Sequence, residues 1–324
     1  MIRIRAFRNG DPPALADLWN RALPDQIVVR PLTAHEFDTL ILGRVGFDRE
    51  GLIIAEHVDG QIIGFAHAGF GPESPTGSPQ RRDYELGSIA MLAIDPEHEG
   101  SDLARDLILA GETYLRGRGA RVLYAGGQFP LNPFYWGVYG GSEFSGVLES
   151  HRAFRLAATG ADYEPASTTI LLDLDLSRSE IRDPRSAILR RQSRIEVVDD
   201  PIPSGWWEAE AIGNSQVSRF RLLSKDDDRE IAHASAWDMA AFGRSDGRAR
   251  TGIFDFEVTP NDRRKGYGRY LLVEILRYIK NQWGEVASVQ TSATNEPALK
   301  LYRSMGFEQV ETSILYRKAG GVDH

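Results

Sequence analysis

The stretch RRKGYGR, residues 263–269, combines two glycines with four cations. It follows a strand-like run, ARTGIFDFEV, and opens a long amphipathic run that reads as a helix. Gly266 and Gly268 allow a backbone to approach a ligand closely. A strand turning into a helix leaves several amides unpaired and pointing one way, and the helix dipole adds partial positive charge. Arg263, Arg264, Lys265 and Arg269 add formal charge, so the turn suits a pyrophosphate held by the amides from Arg264 through Tyr267 to Arg269. It is neither a P-loop, which needs Gly-Lys-Ser/Thr, nor a three-glycine dinucleotide fingerprint. The plainer alternative is a solvated helix start.

Polar residues on both sides add to the pattern. In the preceding strand, alternation puts Asp255 and Glu257 on one face and Phe254 and Phe256 on the other. Downstream, NEPALKLYRSMG reads as a helix with Pro297 in its first turn. Asn295 and Tyr302 are seven residues apart, two helical turns, and share an azimuth. Tyr302 also belongs to an apolar stripe with Ala298, Leu301 and Met305, which is the pattern of a core residue.

Composition narrows the chemistry. The chain has 324 residues, 42% of them hydrophobic, enough for a large core or two ordinary ones. It has no cysteine, which rules out disulfides, thiolate catalysis and cysteine-held metals. The seven histidines form no HxxxH or HxH pair, so no metal is expected. A formal charge of −8 argues against nucleic acid or an anionic membrane as partner. No apolar run reaches the roughly 20 residues of a membrane span. The N-terminus, MIRIRAFRNG, has no signal-peptide core and reads as a strand with Ile2, Ile4 and Ala6 alternating against arginines. A cytoplasmic protein is expected.

The elements that must position these residues repeat. Residues 1–125 read β-α-α-β-β-β-α-β. The helix at 12–22 is capped by Asp11, the one after Thr33 has a Thr33–Glu36 capping box, and a hairpin turns at Asp59-Gly60. The loop 71–83 is rich in Pro, Gly and Ser. After a charged linker at 177–193 the order begins again. The second turn, VTPNDRRKGYGRYLL, aligns with IDPEHEGSDLARDLI at Ile94, the two prolines standing 164 residues apart. Leu271 and Leu272 fall on Leu107 and Ile108, but Arg263 falls on Glu99 and Gly266 on Asp102. Gly306 pairs with Gly160, leaving a surplus of 18 residues in the first half at an aromatic segment around Phe134, Tyr135, Trp136 and Tyr139. Rings at that density suit an interface more than a ligand site. The expectation is an α/β fold of two copies, 1–178 and 179–324.

Residues 256–307 resemble the GCN5-related N-acetyltransferase (GNAT) superfamily. Arg263, Gly266 and Gly268 stand as its Arg-x-x-Gly-x-Gly signature, and TNEPALKLYRSMGFE as its second block. The doubled architecture with one eroded copy resembles tandem acetyltransferases of the mycothiol synthase type. The resemblance implies two tandem GNAT domains, each an α+β mixed sheet, with acetyl-CoA or another acyl-CoA as co-substrate and no metal. It implies that the strand end at Glu257-Val258 pairs with the pantetheine arm, that the Val258 amide polarises the thioester carbonyl, and that Asn295 bonds the pantetheine. Tyr302 would protonate the departing thiolate. Where the family often carries a glutamate, this strand has Thr251 and Gly252, so the base is open among Asp255, Glu257, His233, Asp238 and a relayed water. The acceptor would be a primary amine of a small molecule or peptide. Glu99 and Asp102 imply an N-terminal half that does not bind CoA. The other function class is a non-catalytic acyl-CoA sensor, which keeps the turn but lacks a base.

Overall fold

The protein is represented by a computed structural model that describes residues 1–24, 27–74, 81–128, 130–131, 134–144, 146–212, 215–243 and 245–319, without the side chain of Trp207. The first half runs β1 (Ile2–Ala6), α1 (Pro12–Ala22), α2 (Ala34–Phe37), β2 (Leu52–His57), β3 (Ile62–Pro72), β4 (Arg82–Ile94), α3 (Leu103–Gly117), β5 (Val122–Ala125), β6 (Val147–Leu148), α4 (Arg152–Gly160) and β7 (Tyr163–Asp175). The second runs α5 (Ser186–Gln192), β8 (Ser193–Asp199), α6 (Trp206–Ile212), β9 (Val217–Ser224), β10 (Glu230–Asp238), β11 (Arg250–Val258), α7 (Tyr267–Asn281), β12 (Val286–Ser292), α8 (Glu296–Ser304) and β13 (Glu308–Lys318). Residues 75–80, the middle of the loop read at 71–83, lie outside the described residues.

Local rules account for most boundaries. Thr33 accepts from the Glu36 amide and Glu36 returns a bond to the Thr33 amide, closing the capping box. A π-helical turn, Asp38–Leu42, then extends this helix. α3 and α7 share length and offset: both have 15 residues, starting at Leu103 and Tyr267. Each follows a 3-10 turn that opens on the matched proline. Asp11 is the N-cap of α1 as expected, but without a side-chain capping bond; its carboxylate pairs with Arg5. Two expectations are corrected. In β1 it is the Arg5 side chain that is buried, between Asp11 and Glu56, while Ile2 and Ile4 are exposed, because the edge strand's inner side is lined by carboxylates. The linker contains α5, whose Leu189 reaches the core beneath α7.

The sheet order is β1-β2-β3-β4-β5-β13-β7-β12-β11-β10-β9-β8, with β6 paired to β13. The order is a palindrome: each half contributes six strands in the same sequence, but the last strand of each has crossed to the other. β7 pairs with β12 from Val286–Asp175 to Ser292–Thr169, and β13 pairs with β5 through Tyr316–Ala125. β7 and β13 then pair with each other from Glu308–Asp173 to Lys318–Tyr163. Three cores form. One lies under α3 and α4, and one under α7 and α8. The third covers the opposite face of the sheet and mixes Trp19, Phe134, Trp136 and Phe144 of the first half with Trp237 and Phe254 of the second.

Neither half can form its sheet without the other's last strand, and Leu172, with no exposed surface, lies between β12 and β13. Calorimetry of the full chain should therefore show one cooperative unfolding transition. Leu172→Ala should lower that transition as a whole, at a cost of about 3 kcal/mol. Two separable transitions would contradict the crossed topology.

Candidate active site

β11 and β12 run parallel for three pairs only, Arg250–Val286, Thr251–Ala287 and Gly252–Ser288. Beyond Gly252 the two strands part, and among the described residues β11 from Ile253 to Val258 has no strand partner on that side. A bulge helps to open the gap. β10 and β11 pair at His233–Glu257 and resume at Ser235–Phe254, so β11 uses three residues where β10 uses two. Asp255 sits in the bulge at φ 51°, a left-handed conformation that Asp tolerates better than most residues.

The bulge overturns the alternation read from the sequence. Phe254 belongs to the mixed aromatic core, whereas Phe256 packs on the opposite side against the α7–α8 core. One inserted residue moves everything after it to the other face. Asp255 and Glu257 are both exposed, but they differ in partners. Asp255 lies 3.6 Å from His233 Nε2, and Glu257 3.5 Å from the Arg263 guanidinium. His233 is also tied to Glu230 at 2.8 Å. Asp238 stands at the far end of β10, opposite Thr251, and accepts from the Ala240 amide.

The Val258 amide points into the gap. Thr259 N–H donates to the Ile231 carbonyl at 2.9 Å, which makes 231 and 259 a hydrogen-bonded pair. In an antiparallel ladder the neighbouring residue then turns its N–H and C=O the other way. The Val258 carbonyl accordingly accepts from Arg263 Nε at 3.0 Å instead of from β10.

The cationic turn follows. Arg264 and Gly266 are both left-handed, at φ 62° and 97°, and Gly266 is the N-cap of α7. Only glycine adopts the second conformation without strain. Gly268 has an ordinary φ and a different reason to be small: a Cβ would lie 3.2 Å from Val258 Cγ2 and near Phe256 and Leu301, so it lets α7 pack closely on β11. Below the turn, buried Asp262 accepts from Arg229, Thr259 and Lys265. These bonds, led by that from Arg229, hold its carboxyl well below the ordinary carboxylate range. Arg269 bonds Ser304 Oγ at 2.8 Å, tying α7 to α8.

Asn295 and Tyr302 do not share a face. Asn295 is the N-cap of α8, with non-helical ψ 68°; its side chain is exposed, accepts from the Ala298 amide and donates to Thr291. Tyr302 is 5% exposed, with its ring between Phe256 and Phe307. Burial pushes its phenol well above the ordinary value, and the charge of Glu143 adds to the shift.

Glu143 was not anticipated. It comes from the aromatic segment of the first half and is the single charged residue between Gly127 and Leu148, which was the available signal. Dense surrounding protein lifts its carboxyl to about 7, with Asp255 as a second cause.

The matched positions in the first half lack this arrangement. Gly100 keeps the left-handed backbone of Arg264, but Asp102 is right-handed, at φ −68°, where Gly266 is left-handed. The helices α4 and α8 are both nine residues long, and the left-handed residue beyond each is Asp162 and Gly306. The pairing of Gly306 with Gly160 is corrected to Asp162, which makes the surplus 20 residues and aligns Tyr302 with Ala158. A groove of about 420 Å³ remains there, rimmed by Glu99 and Asp102.

The chain matches the model of the acetyltransferase (GNAT) family twice, over residues 13–139 and 190–307. It is 36% identical over 134 residues to a mycothiol acetyltransferase of Cellulomonas flavigena, covering 39% of this chain and 36% of that protein. The match thus spans about a third of that relative's length. A mycothiol acetyltransferase of Rhodococcus jostii is 22% identical over 80% of each chain. Among solved structures, a tandem GNAT protein from the clavulanic acid biosynthesis pathway aligns over the whole of both chains with a TM-score of 0.63 at 13% identity, a likeness of fold. With both of its halves matched, the chain belongs to the GNAT acetyltransferase family, as a tandem copy.

Proposed function

We propose that the protein is an acetyl-CoA-dependent N-acetyltransferase whose working domain is the C-terminal half, 179–324, and whose N-terminal half, 1–178, does not bind CoA. The observation that carries this reading is the Val258 N–H, aimed into the gap where β11 and β12 part, directly before the left-handed cationic turn of α7. Amides of Arg264 to Arg269 would bind the pyrophosphate at the start of a 15-residue helix. The Arg263–Glu257 pair does not obstruct this, since both side chains are 57% exposed. Such pairs are worth about 1 kcal/mol or less, and a phosphate can take the guanidinium. Asn295 can offer the pantetheine arm only what its capping bonds leave.

In the reaction, the Val258 amide stabilises negative charge growing on the thioester oxygen. An amine nitrogen attacks the carbonyl carbon, the carbon–sulfur bond breaks, and Tyr302 gives its proton to the departing sulfur. The phenol is protonated at neutral pH and so has a proton to give, although burial makes it a weaker acid than a free tyrosine. The acceptor is read as a primary amine. The names of matched relatives, mycothiol acetyltransferase and an N-alpha-acetyltransferase, leave the acceptor open between a small molecule and a peptide.

Two variants test the site. Tyr302→Phe should lower kcat by on the order of 100-fold while leaving acetyl-CoA affinity unchanged, measured by thiol release and by titration. Unaltered turnover would sink the acid role. Gly266→Ala should lose about 1–2 kcal/mol of stability and bind acetyl-CoA at least about tenfold more weakly, because the turn's left-handed backbone is strained by a Cβ. If wild-type protein binds acetyl-CoA but no amine accelerates thiol release, the chain is a sensor and not an enzyme.

A further inference from the structure

We propose that Glu143, carried by the N-terminal half, accepts the proton of the acceptor amine, so that the active site is assembled from both halves of the chain. This rests on the acetyltransferase reading. The carboxylates on the strand itself are poorly suited: Glu257 is exposed beside Arg263, and Asp255 is exposed beside His233, so an ammonium held there would keep much of its water.

Glu143 is brought to the gap by three adjacent strands. From β10, Trp237 Nε1 donates to the Ser142 carbonyl at 3.0 Å. From β11, Phe254, the residue before the bulge, meets the Trp136 ring edge-on at 6.1 Å. From β12, the Gln290 side chain accepts from the Glu143 amide at 3.2 Å and donates to the Phe144 carbonyl at 2.9 Å. Gln290 and Phe254 are each two residues past the last β11–β12 pair, so the clamp sits where the strands begin to part. Gly141 is left-handed, at φ 80°, and a Cβ there would also displace the Gln290 oxygen, 2.5 Å away. A 20-residue surplus in the first half is thus built onto the second half's sheet, with one carboxylate among its rings.

The titratable groups around that carboxyl are Asp255 of β11 and Tyr302 of α8, each close enough to interact with its charge, and Tyr135 and Tyr139, which line a small cavity with it from its own segment. Asp255 lies in the bulge three residues before Val258, and the Tyr302 ring meets Phe256, two residues before Val258, edge-on at 6.5 Å. Glu143 keeps partial exposure although protein surrounds it, as expected for a group at the bottom of a cleft. A base that titrates near 7 is matched to its task at neutral pH. The acceptor ammonium first gives one proton to water; as the neutral amine forms the nitrogen–carbon bond and the carbon–sulfur bond breaks, the nitrogen gives its second proton to the Glu143 carboxylate and the Tyr302 proton passes to sulfur. The phenolate left on Tyr302 is then neutralised by the proton on Glu143. One acid and one base are restored without any further reactant.

The test is the pH dependence of kcat/KM for acetyl transfer from acetyl-CoA to spermidine, glucosamine and a peptide with a free N-terminus. Wild type should lose rate as pH falls through about 7. Glu143→Gln should lower kcat by on the order of 100-fold, abolish that limb and keep acetyl-CoA affinity and melting temperature. Glu143→Asp should restore part of the rate. A Glu143→Gln variant that keeps both rate and limb overturns the proposal while leaving the acetyltransferase reading intact. If wild type transfers to no amine, the functional reading fails first, and a crystal structure with acetyl-CoA decides for Glu143. Its carboxylate should face the thioester carbon within about 6–7 Å, an attack distance plus a hydrogen bond. A carboxylate turned away overturns the proposal.

Discussion

The exchange of β7 and β13 is the constraint on which the rest of the molecule depends. Each sheet half ends with the other half's last strand, and the two exchanged strands pair along their length. The halves therefore cannot rotate relative to each other without breaking a ladder of backbone hydrogen bonds. A segment of the first half can then hold a fixed position on the second half's strands. Rings from Trp136, Trp237 and Phe254 pack together only because those strands are locked in register.

Against that rigid frame, the site is made by local departures from regularity. β11 leaves β12 after three pairs, a bulge at Asp255 changes which face its side chains take, and a left-handed pair, Arg264 and Gly266, turns the chain into α7. Each departure frees or aims a backbone group that an unbroken ladder would consume. The first half keeps the frame but has lost several of these features. Its turn has one left-handed residue where the second has two, its rim is acidic, and Ala158 stands where Tyr302 stands.

Much of this was legible in the residues. The 164-residue offset located α3 and α7, because helix start signals and apolar spacing are local properties. The capping box at Thr33 and the hairpin at Asp59-Gly60 were legible for the same reason. What depended on distant partners was not. Strand exchange leaves no trace in hydrophobic periodicity, since β7 and β13 would read identically in either place. The alternation drawn through Phe254 and Phe256 assumed an unbroken pleat, and nothing local announces the bulge. Arg5 is buried because Asp11 and Glu56 meet it. Glu143 lay within a segment rightly suspected of being an interface, but its position over the second half's strands is a matter of tertiary packing.

The central claim is that one of two related folds in the same chain retains the acyl-CoA site. The most direct measurement is the number of acetyl-CoA molecules bound per chain, by calorimetric titration of the 324-residue chain. One site is predicted, and Gly100, Glu99 and Asp102 variants should leave it unchanged. Two sites per chain, or a single site lost on altering the first turn, would contradict it.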